Sequence, residues 1–154
     1  MISVFRIAKE KYITDLSGNG AKQHGGRWNN VGNNMLYTSE NISLSLLEIL
    51  CNIQMEFIQN NLALIELKIT NSDLLDTLPF NELPINWHQY PSPNILQNIG
   101  DNFLKKGKFL GLKVPSAIVN EEKNILLNPF HQKFGEVKIV NQKKYVVDNR
   151  LYGK

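Results

Sequence analysis

Hydrophobic and polar residues alternate at the start of the chain, in ISVFRIA from Ile2 to Ala8. A period of two predicts a strand that buries one face. A polar, glycine-rich stretch follows from Asp15 to Asn34 and shows neither a strand period nor a helix period. MLYTS, residues 35–39, predicts a second short strand. The pattern therefore predicts strand, loop and strand in this part of the chain.

The pattern then changes to a helical period. The segment SENISLSLLEILCNIQMEF, residues 39–57, has apolar side chains at i, i+4, i+7 and i+11: Leu46, Leu50, Ile53 and Phe57. This spacing predicts an amphipathic helix, and Ser39 is a suitable N-cap for it. Cys51 lies within the apolar run, so we expect a buried structural thiol rather than a nucleophile.

The second half of the chain predicts another strand and another helix. LALIELKIT, residues 62–70, alternates and predicts a half-buried strand. Residues 77–93 are punctuated by proline and are predicted to be irregular. A helix is expected after them, with Ser92 as its cap, Pro93 at its first position and Gly107 at its end.

The remaining apolar segments predict further strands. FLGLKVPSAIV (109–119) contains one strand or a pair, NILLNP (124–129) is a short strand, and EVKIV (136–140) with KYVVD (144–148) predicts a terminal hairpin. Strands outnumber helices and do not alternate regularly with them. We therefore predict an α+β fold with a mixed, mainly antiparallel sheet and flanking helices, in a single domain over residues 1–154.

Composition narrows the class of protein. The 154 residues are 42% hydrophobic and 20% charged, which is typical of a globular protein. The net charge of +3 comes with scattered lysines, so we expect no direct nucleic-acid binding. A single cysteine excludes an intrachain disulfide and fits a reducing compartment. We find no secretory signal and no run of about 18 apolar residues, so we expect a cytoplasmic protein without a membrane span.

Several familiar catalytic motifs are absent. The sequence contains no P-loop, no dinucleotide-binding glycine fingerprint and no G-x-S-x-G. The three histidines, His24, His88 and His131, have no nearby partner at metal-ligand spacing. We therefore expect no metal site.

HGGRWNNVG, residues 24–32, is the most unusual part of the polar stretch. Gly25 and Gly26 allow another molecule to approach the backbone closely. Arg27 follows them with a guanidinium suited to an anionic group, whereas Trp28 is expected to pack beneath the loop. These residues alone indicate either an ordinary surface loop or half of a binding site.

Four further residues have both a structural and a functional interpretation. Glu48 lies in an apolar helix, where a buried carboxylate needs a partner or a task, although an exposed polar face would also explain it. Tyr37 is equally suited to the core of a strand. Ser116 is equally a small residue in a strand, and Asn128 equally a strand terminator. The residues by themselves leave these alternatives open.

Taken together, these segments resemble the RES domain family, which is named for arginine, glutamate and serine. GGRWNNVGNNMLYTSENISLSLLE carries the first part of the resemblance, and WHQYPSP, IGDNFL, VPSAIV, EKNILLNPFH and VVDNRL follow in the family's order. The resemblance covers nearly the whole chain, from the first strand to Leu151. Gln132 and Asn149 stand where the family often has proline, and neither touches the implied chemistry.

The resemblance implies a fold similar to that of ADP-ribosyltransferase toxins, and a toxin of the RES–Xre toxin–antitoxin type. Family members consume NAD+ by hydrolysis or phosphorolysis, and some relatives transfer ADP-ribose to a protein. The implied catalytic residues are Arg27, Tyr37, Glu48 and Ser116. The implied NAD+-binding residues are Gly25, Gly26, Arg27, Tyr37 and Asn128. NAD+ is then the substrate, inorganic phosphate is a candidate co-substrate, no resident cofactor or metal is implied, and the partner is an Xre-type helix–turn–helix antitoxin.

The implied residues suit the chemistry of NAD+. The nicotinamide ring is cationic in NAD+, so its departure needs no general acid. Positive charge develops on the ribose in the transition state, which needs a negative group nearby, and Glu48 supplies it. Arg27 can grip the pyrophosphate with two parallel hydrogen bonds. Tyr37 offers a flat face for the nicotinamide ring, and Ser116 could bond a ribose or phosphate oxygen.

We therefore expect a toxin that degrades NAD+ by cleaving the nicotinamide–ribose bond and that a cognate antitoxin neutralises. The alternatives are an ADP-ribosyltransferase that modifies a cellular protein, and a binding module without catalysis. The sequence leaves open whether water, phosphate or protein accepts the ADP-ribose, whether the chain forms a homodimer, and how an antitoxin would block the site.

Overall fold

The chain folds around a seven-stranded sheet. The computed structural model describes residues 1–58 and 60–153; Gln59 and Lys154, the last residue of the expected domain, lie outside the description. The strands are β1 (Ile2–Lys9), β2 (Leu36–Ser39), β3 (Leu62–Ile69), β4 (Leu75–Thr77), β5 (Gly111–Pro115), β6 (Lys123–Leu127) and β7 (Lys138–Tyr145). The helices are α1 (Asn19–His24), α2 (Ile42–Asn52) and α3 (Asn94–Lys106).

The sheet has the strand order β4-β5-β6-β2-β1-β3-β7. The pair β4–β5 is parallel, and every other neighbouring pair is antiparallel. The predicted α+β class, with a mixed, mainly antiparallel sheet and flanking helices, is therefore confirmed. No helix among the described residues has the length and apolar character needed to cross a membrane.

One face of the sheet can be followed across its middle strands from the register. Phe5 of β1 is opposite Ser39 of β2, and Tyr37 of β2 is opposite Leu126 of β6. Residues directly opposite each other in an antiparallel pair point to the same side, and so do residues two apart on a strand. These side chains therefore share one face, to which Asn124, opposite Ser39, also belongs.

Both longer helices pack on this face. Part of the predicted apolar stripe, Leu46 and Leu50 of α2 with Ile53 just after the helix, packs in a cluster with Phe5 and Ile7 of β1. α3 contributes Leu96 and Phe103 to a second cluster that contains Leu126. Full burial of such a side chain stabilises the fold by about 1.5–3 kcal/mol, and the partly buried side chains of α2 contribute less, so packing holds both helices against the sheet.

The opposite face is covered mainly by connecting segments. Ile65 and Leu67 of β3 are fully buried there, in a cluster with Ile13 from the segment after β1 and Val137 from the segment before β7. The apolar residues of β3 on this face therefore have loop residues, rather than a helix, above them.

The helix after β2 is shorter than predicted. Asn41, not Ser39, is its N-cap, and the Asn41 side chain accepts a hydrogen bond from Leu44 N–H at 2.7 Å. Ser39 cannot cap because it is still paired with β6 in the last position of β2. Phe57 lies in a separate 3-10 turn, Met55–Phe57. The predicted single helix over 39–57 is therefore wrong at both ends.

Cys51 is exposed, so the prediction of a buried thiol was wrong. The apolar residues that pack on the sheet here include Leu46 and Leu50 of α2 and its C-cap residue, Ile53. Cys51 is five residues after Leu46, and five residues at 3.6 per turn place it well away from the packed stripe. Apolar neighbours in the sequence therefore did not place Cys51 on the buried face of the helix.

Three other elements differ from the sequence predictions in detail. Pro93 is the N-cap residue of α3 rather than its first residue, whereas Gly107 ends the helix as predicted. α1 forms within the polar stretch that was predicted to be loop. The predicted hairpin is a single strand, β7, because NQKK (141–144) continues the ladder along β3 instead of turning.

Candidate active site

A tight turn carries Arg27. Gly26 N–H donates to Asn29 O at 3.0 Å, and this pair closes the turn. A Cβ on residue 26 would lie 2.5 Å from Tyr37 Oη and 3.0 Å from Asn29 Oδ1, so glycine is needed for this close approach. Gly25, just before the turn, ends α1 with a φ of 69°. The predicted glycine loop is therefore a closed turn that packs against Tyr37.

The hydroxyl of Tyr37 fixes this turn to β2. Oη donates to Asn29 Oδ1 at 2.6 Å and accepts from Trp28 N–H at 3.1 Å. Burial raises the pKa of Tyr37 well above its ordinary value, and the hydrogen bond from the Trp28 amide opposes this shift, so the phenol stays neutral. Trp28 is only 2% exposed, which confirms that it packs beneath the loop. The hydroxyl of Tyr37 thus serves the turn, while its partly exposed ring borders the site.

Arg27 uses one of its nitrogens to hold the segment before α3. Nη1 donates to Trp87 O at 2.9 Å and to Gln89 O at 3.0 Å. Among the described residues, no hydrogen bond uses its Nε or Nη2. These two nitrogens form the edge of a guanidinium that makes two parallel bonds to an oxyanion. Arg27 is therefore held through Nη1, and its Nε–Nη2 edge has donors that the described residues do not use.

Glu48 is placed by the docking of α2 on β1. β1 and β2 are joined at one registered pair, Phe5 with Ser39. Ile7 N–H, in β1, donates to Ser45 Oγ of α2 at 3.0 Å. Glu48 follows Ser45 by three residues, which is about one helical turn, so the two side chains lie on neighbouring positions of the same helix face.

Two side chains from other parts of the chain hold the Glu48 carboxylate. Ser116 Oγ, just after β5, donates to Glu48 Oε1 at 2.8 Å, and Asn124 Nδ2, in β6, donates to the same oxygen at 2.6 Å. Ser39 Oγ donates to Asn124 Oδ1 at 2.7 Å and so fixes the amide from behind. Within the described part of the chain no hydrogen bond ends on Glu48 Oε2. One carboxylate oxygen is therefore fixed while the other has bonding capacity to spare.

The hydroxyl of Ser116 is fully used by the protein. It donates to Glu48 and accepts from Ile118 N–H at 3.0 Å and Val119 N–H at 3.1 Å. A hydroxyl has one donor and two acceptor positions, so all three are occupied. Ser116 is also fully buried. In this arrangement it positions Glu48 and has no capacity left for the ribose or phosphate oxygen that we expected it to bond.

The Arg27 guanidinium and the Glu48 carboxylate lie near each other without pairing. Partial burial lowers the pKa of Arg27, and the Glu48 carboxylate raises it again, so the two charges act on each other. The ion pairs found within 4.0 Å among residues 1–58 and 60–153 do not include this one. Arg27 therefore lies close enough to both Glu48 and Tyr37 to interact with them electrostatically.

Asn128 lies apart from this group in its described contacts. Its backbone N–H donates to Leu110 O at 2.8 Å, and its side-chain Oδ1 accepts from Phe130 N–H at 3.0 Å. It directly follows β6 and is 3% exposed. These contacts are those of a residue that ends a strand in a turn, and a part for Asn128 in binding NAD+ stays a prediction.

Other features of the surface do not point to a different centre. Two surface cavities of about 440 Å³ each lie elsewhere, one bordered by Lys9 and Phe57 and the other between β4 and α3. Neither is lined by Arg27, Tyr37 or Glu48. The described residues contain no group of three or more His, Cys, Asp or Glu placed to hold a metal ion. We locate the candidate site by its charge arrangement rather than by cavity size.

Sequence reasoning did not find Asn124 or Ser39 as site residues. Both are short polar residues in segments predicted as strands, where they are unremarkable. The signal lies in the register, because Ser39 and Asn124 are directly opposite in the β2–β6 ladder. The position of this polar pair next to Glu48 can be recognised only once the pairing of β2 with β6 is known.

Comparison with known proteins gives the same assignment for the whole chain. A model of the RES domain family matches residues 3–148. The toxin Res of Yersinia enterocolitica is 36% identical over 132 residues, covering 85% of this chain and 86% of that protein. The Prs ADP-ribosylating toxin of a Sphingobium species is 33% identical over 158 residues, covering 99% of this chain and 98% of that protein.

A solved structure supports the fold. A chain of the M. tuberculosis MbcT–MbcA toxin–antitoxin complex superposes with a TM-score of 0.75 at 17% identity, covering 94% of this chain and 84% of that chain. The likeness shows that this chain shares its fold with that chain. Because the family model and the curated relatives span most of its length, this chain belongs to the RES domain family, the family of the Res toxins.

Proposed function

We propose that this chain is a toxin enzyme that cleaves the nicotinamide–ribose bond of NAD+. The observation that carries the proposal is that Arg27 and Glu48 are each held by hydrogen bonds to described residues on one side only, while no ion pair within 4.0 Å joins them. A dinucleotide with an anionic pyrophosphate and a ribose that becomes cationic needs this separation of a cation from an anion. Membership of the RES family supports the same function.

Glu48 is the residue that would stabilise the transition state. Cleavage of the bond to a cationic leaving group needs no general acid, because nicotinamide departs neutral. Positive charge then develops on the ribose, and a fixed carboxylate close to it lowers the barrier. Ser116 and Asn124 hold Oε1, so the carboxylate does not need to reorient, and Oε2 is the oxygen with capacity for the sugar.

Arg27 is the residue that would capture the pyrophosphate. Its Nη1 bonds to Trp87 O and Gln89 O fix the side chain, and the Nε–Nη2 edge is the one suited to two parallel bonds with phosphate oxygens. The partly exposed ring of Tyr37, fixed by its hydroxyl, gives a flat apolar surface next to the guanidinium for the nicotinamide ring.

The direct experiment is incubation of the purified chain with NAD+, with and without inorganic phosphate, followed by the masses of the products. Free nicotinamide with ADP-ribose indicates water as the acceptor, and nicotinamide with phosphorylated ADP-ribose indicates phosphate. Arg27→Ala is expected to weaken NAD+ capture. An unchanged NAD+ concentration with both acceptors and with added cellular protein would overturn the proposal and favour a module that binds without catalysis.

A second function, transfer of ADP-ribose to a protein, is favoured by one observation. The Sphingobium relative, which aligns over 99% of this chain, is named an ADP-ribosylating toxin. Transfer breaks the same nicotinamide–ribose bond and would use the same two charges. NAD+ labelled in its adenosine part separates the two functions, because the label stays in small molecules after degradation and moves to protein after transfer.

We further propose that an antitoxin of the Xre helix–turn–helix type neutralises this chain. The support is that a structural neighbour was solved in a toxin–antitoxin complex and that relatives are named toxins. A segment of the antitoxin that occupies the space between Arg27 and Glu48 would be the simplest mechanism. Expression of the chain alone is expected to arrest growth, and co-expression with the cognate antitoxin to restore it. An antitoxin complex that still consumes NAD+ at the rate of the free toxin would contradict this mechanism.

A further inference from the structure

α3 holds the turn that carries Arg27, through three residues on one face. Gln97, Gly100 and Asp101 are spaced i, i+3 and i+4, which places them on the same side of the helix. Gly100 lies so close to the Trp28 carbonyl that a Cβ would overlap it. Asp101 accepts from Asn30 N–H at 3.1 Å and from Asn30 Nδ2 at 2.6 Å. The turn and the residue after it are therefore fixed to α3.

Gln97 makes the contact with the turn itself. Its Nε2 donates to Gly26 O at 3.1 Å and to Asn29 O at 3.2 Å. Gly26 and Asn29 are the two residues that close the turn, and Arg27 lies between them. A primary amide nitrogen has two hydrogens, and each finds one of the two carbonyls. Glutamate would place an acceptor against these carbonyls, and methionine would place an apolar group there.

We propose that Gln97 is a positioning residue for Arg27: its amide joins the two carbonyls of the Arg27 turn and so sets the direction of the guanidinium. Nη1 of Arg27 must donate to Trp87 O and Gln89 O while the Nε–Nη2 edge stays directed toward the substrate. Without this amide the two carbonyls of the turn lose their common donor, and we expect the guanidinium to spread over several orientations. We expect this spread to weaken binding of the anionic substrate.

The effect on catalysis rests on the proposed function. If Arg27 binds the pyrophosphate equally in the ground state and in the transition state, misdirection raises KM and leaves kcat nearly unchanged. A displacement of about 1 Å at a binding group can cost on the order of 100-fold, so we expect a rise in KM for NAD+ of about 10-fold to 100-fold in Gln97→Met. Methionine has a similar length and no donor, so it tests the amide rather than the volume.

The matched control is Gln23→Met, the same change at an exposed residue of α1. The decisive measurement is a double-mutant cycle with Arg27→Ala. We expect Gln97→Met to raise KM in the native background, Gln23→Met to leave it unchanged, and Gln97→Met to add nothing once Arg27 is alanine. Equal losses of activity from Gln97→Met with and without Arg27 would show a general structural role and overturn the proposal.

A second measurement does not need NAD+. Hydrogen exchange of the Gly26 amide reports on the closure of the turn, and we expect it to be at least 10-fold faster in Gln97→Met, while the amide of Ile65 in β3 keeps its protection. Unchanged exchange at Gly26 together with an unchanged KM would overturn the role of Gln97. If the native chain consumes no NAD+, the proposed function fails, whereas faster exchange at Gly26 would still support the hold of Gln97 on the turn.

Discussion

Ser116 Oγ donates a hydrogen bond to Glu48 Oε1 at 2.8 Å, although 68 residues separate the two along the chain. Glu48 arrives on a helix that packs on β1, and Ser116 arrives at the end of β5. β6 and β2 lie between β5 and β1 in the sheet, and β6 adds the Asn124 amide to the same oxygen. The carboxylate is therefore held by three elements that meet only in the folded chain.

Ser116→Ala is expected to reduce both stability and turnover. The change leaves Ile118 N–H and Val119 N–H without their acceptor and Glu48 with one donor fewer. Buried groups that lose a partner cost about 1–3 kcal/mol of unfolding free energy, and we expect a fall in kcat of about 10-fold on the same scale. Ser43→Ala, at an exposed position of α2, is the control for thermal unfolding and NAD+ turnover. If Ser116→Ala matched that control in both, the hydroxyl would have no part in the site.

Glu48→Gln tests the charge of the carboxylate without removing its hydrogen bonds. The glutamine oxygen can still accept from Ser116 and Asn124, so the fold should persist. Loss of one fixed electrostatic stabiliser is expected to lower kcat by about 100-fold or more. Glu56→Gln is the exposed control, and NAD+ turnover is the measurement. Near-native turnover in a folded Glu48→Gln would show that the negative charge is idle.

Gly26→Ala is expected to open the Arg27 turn. The added Cβ would lie 2.5 Å from Tyr37 Oη and 3.0 Å from Asn29 Oδ1, so the hydrogen bond between these two groups must lengthen or break. Overpacking of this kind costs about 1–3 kcal/mol of unfolding free energy. Gly20→Ala is the matched control, because nothing lies within 4 Å of its Cβ. Denaturant unfolding should show a loss of stability, and the KM for NAD+ should rise, in the first variant only, because alanine within α1 does not destabilise that helix. Equal losses in the two variants would contradict the close approach.

Tyr37→Phe tests the buried phenol through the pH dependence of stability. Burial raises the pKa of Tyr37 above its ordinary value of 10.0, so the folded state favours the neutral form. The stability linked to this proton is fully present below pH 10 and is lost as the pH rises further, because the unfolded chain then ionises first. Unfolding free energies at about pH 9 and about pH 11 should fall less steeply in Tyr37→Phe than in the native chain and in an exposed control, Tyr12→Phe. Equal slopes in all three would show that the phenol is solvated.

Much of the secondary structure follows from local pattern. β1, β3 and α3 were predicted close to their observed bounds, because period two, a proline at the helix start and a terminal glycine are properties of neighbouring residues. The predictions failed where pairing with a strand distant in the sequence determines the local structure. Ser39 stays in β2 because β6 pairs with it, and NQKK continues β7 because β3 offers a long edge. A two-residue difference in a helix start or a missing hairpin turn cannot be seen without that partner.

The sequence by itself determined the fold class and the residue types at the site: an arginine in a glycine-rich turn, a tyrosine on a strand, a glutamate on an apolar helix and a serine after proline. Only the tertiary structure decided what each atom does. It uses the hydroxyls of Tyr37 and Ser116 as internal supports, and it adds Asn124 and Gln97, which the sequence had not singled out. The reason is physical: periodicity records which side chains leave water, whereas hydrogen-bond partners depend on strand register and helix docking across the whole chain.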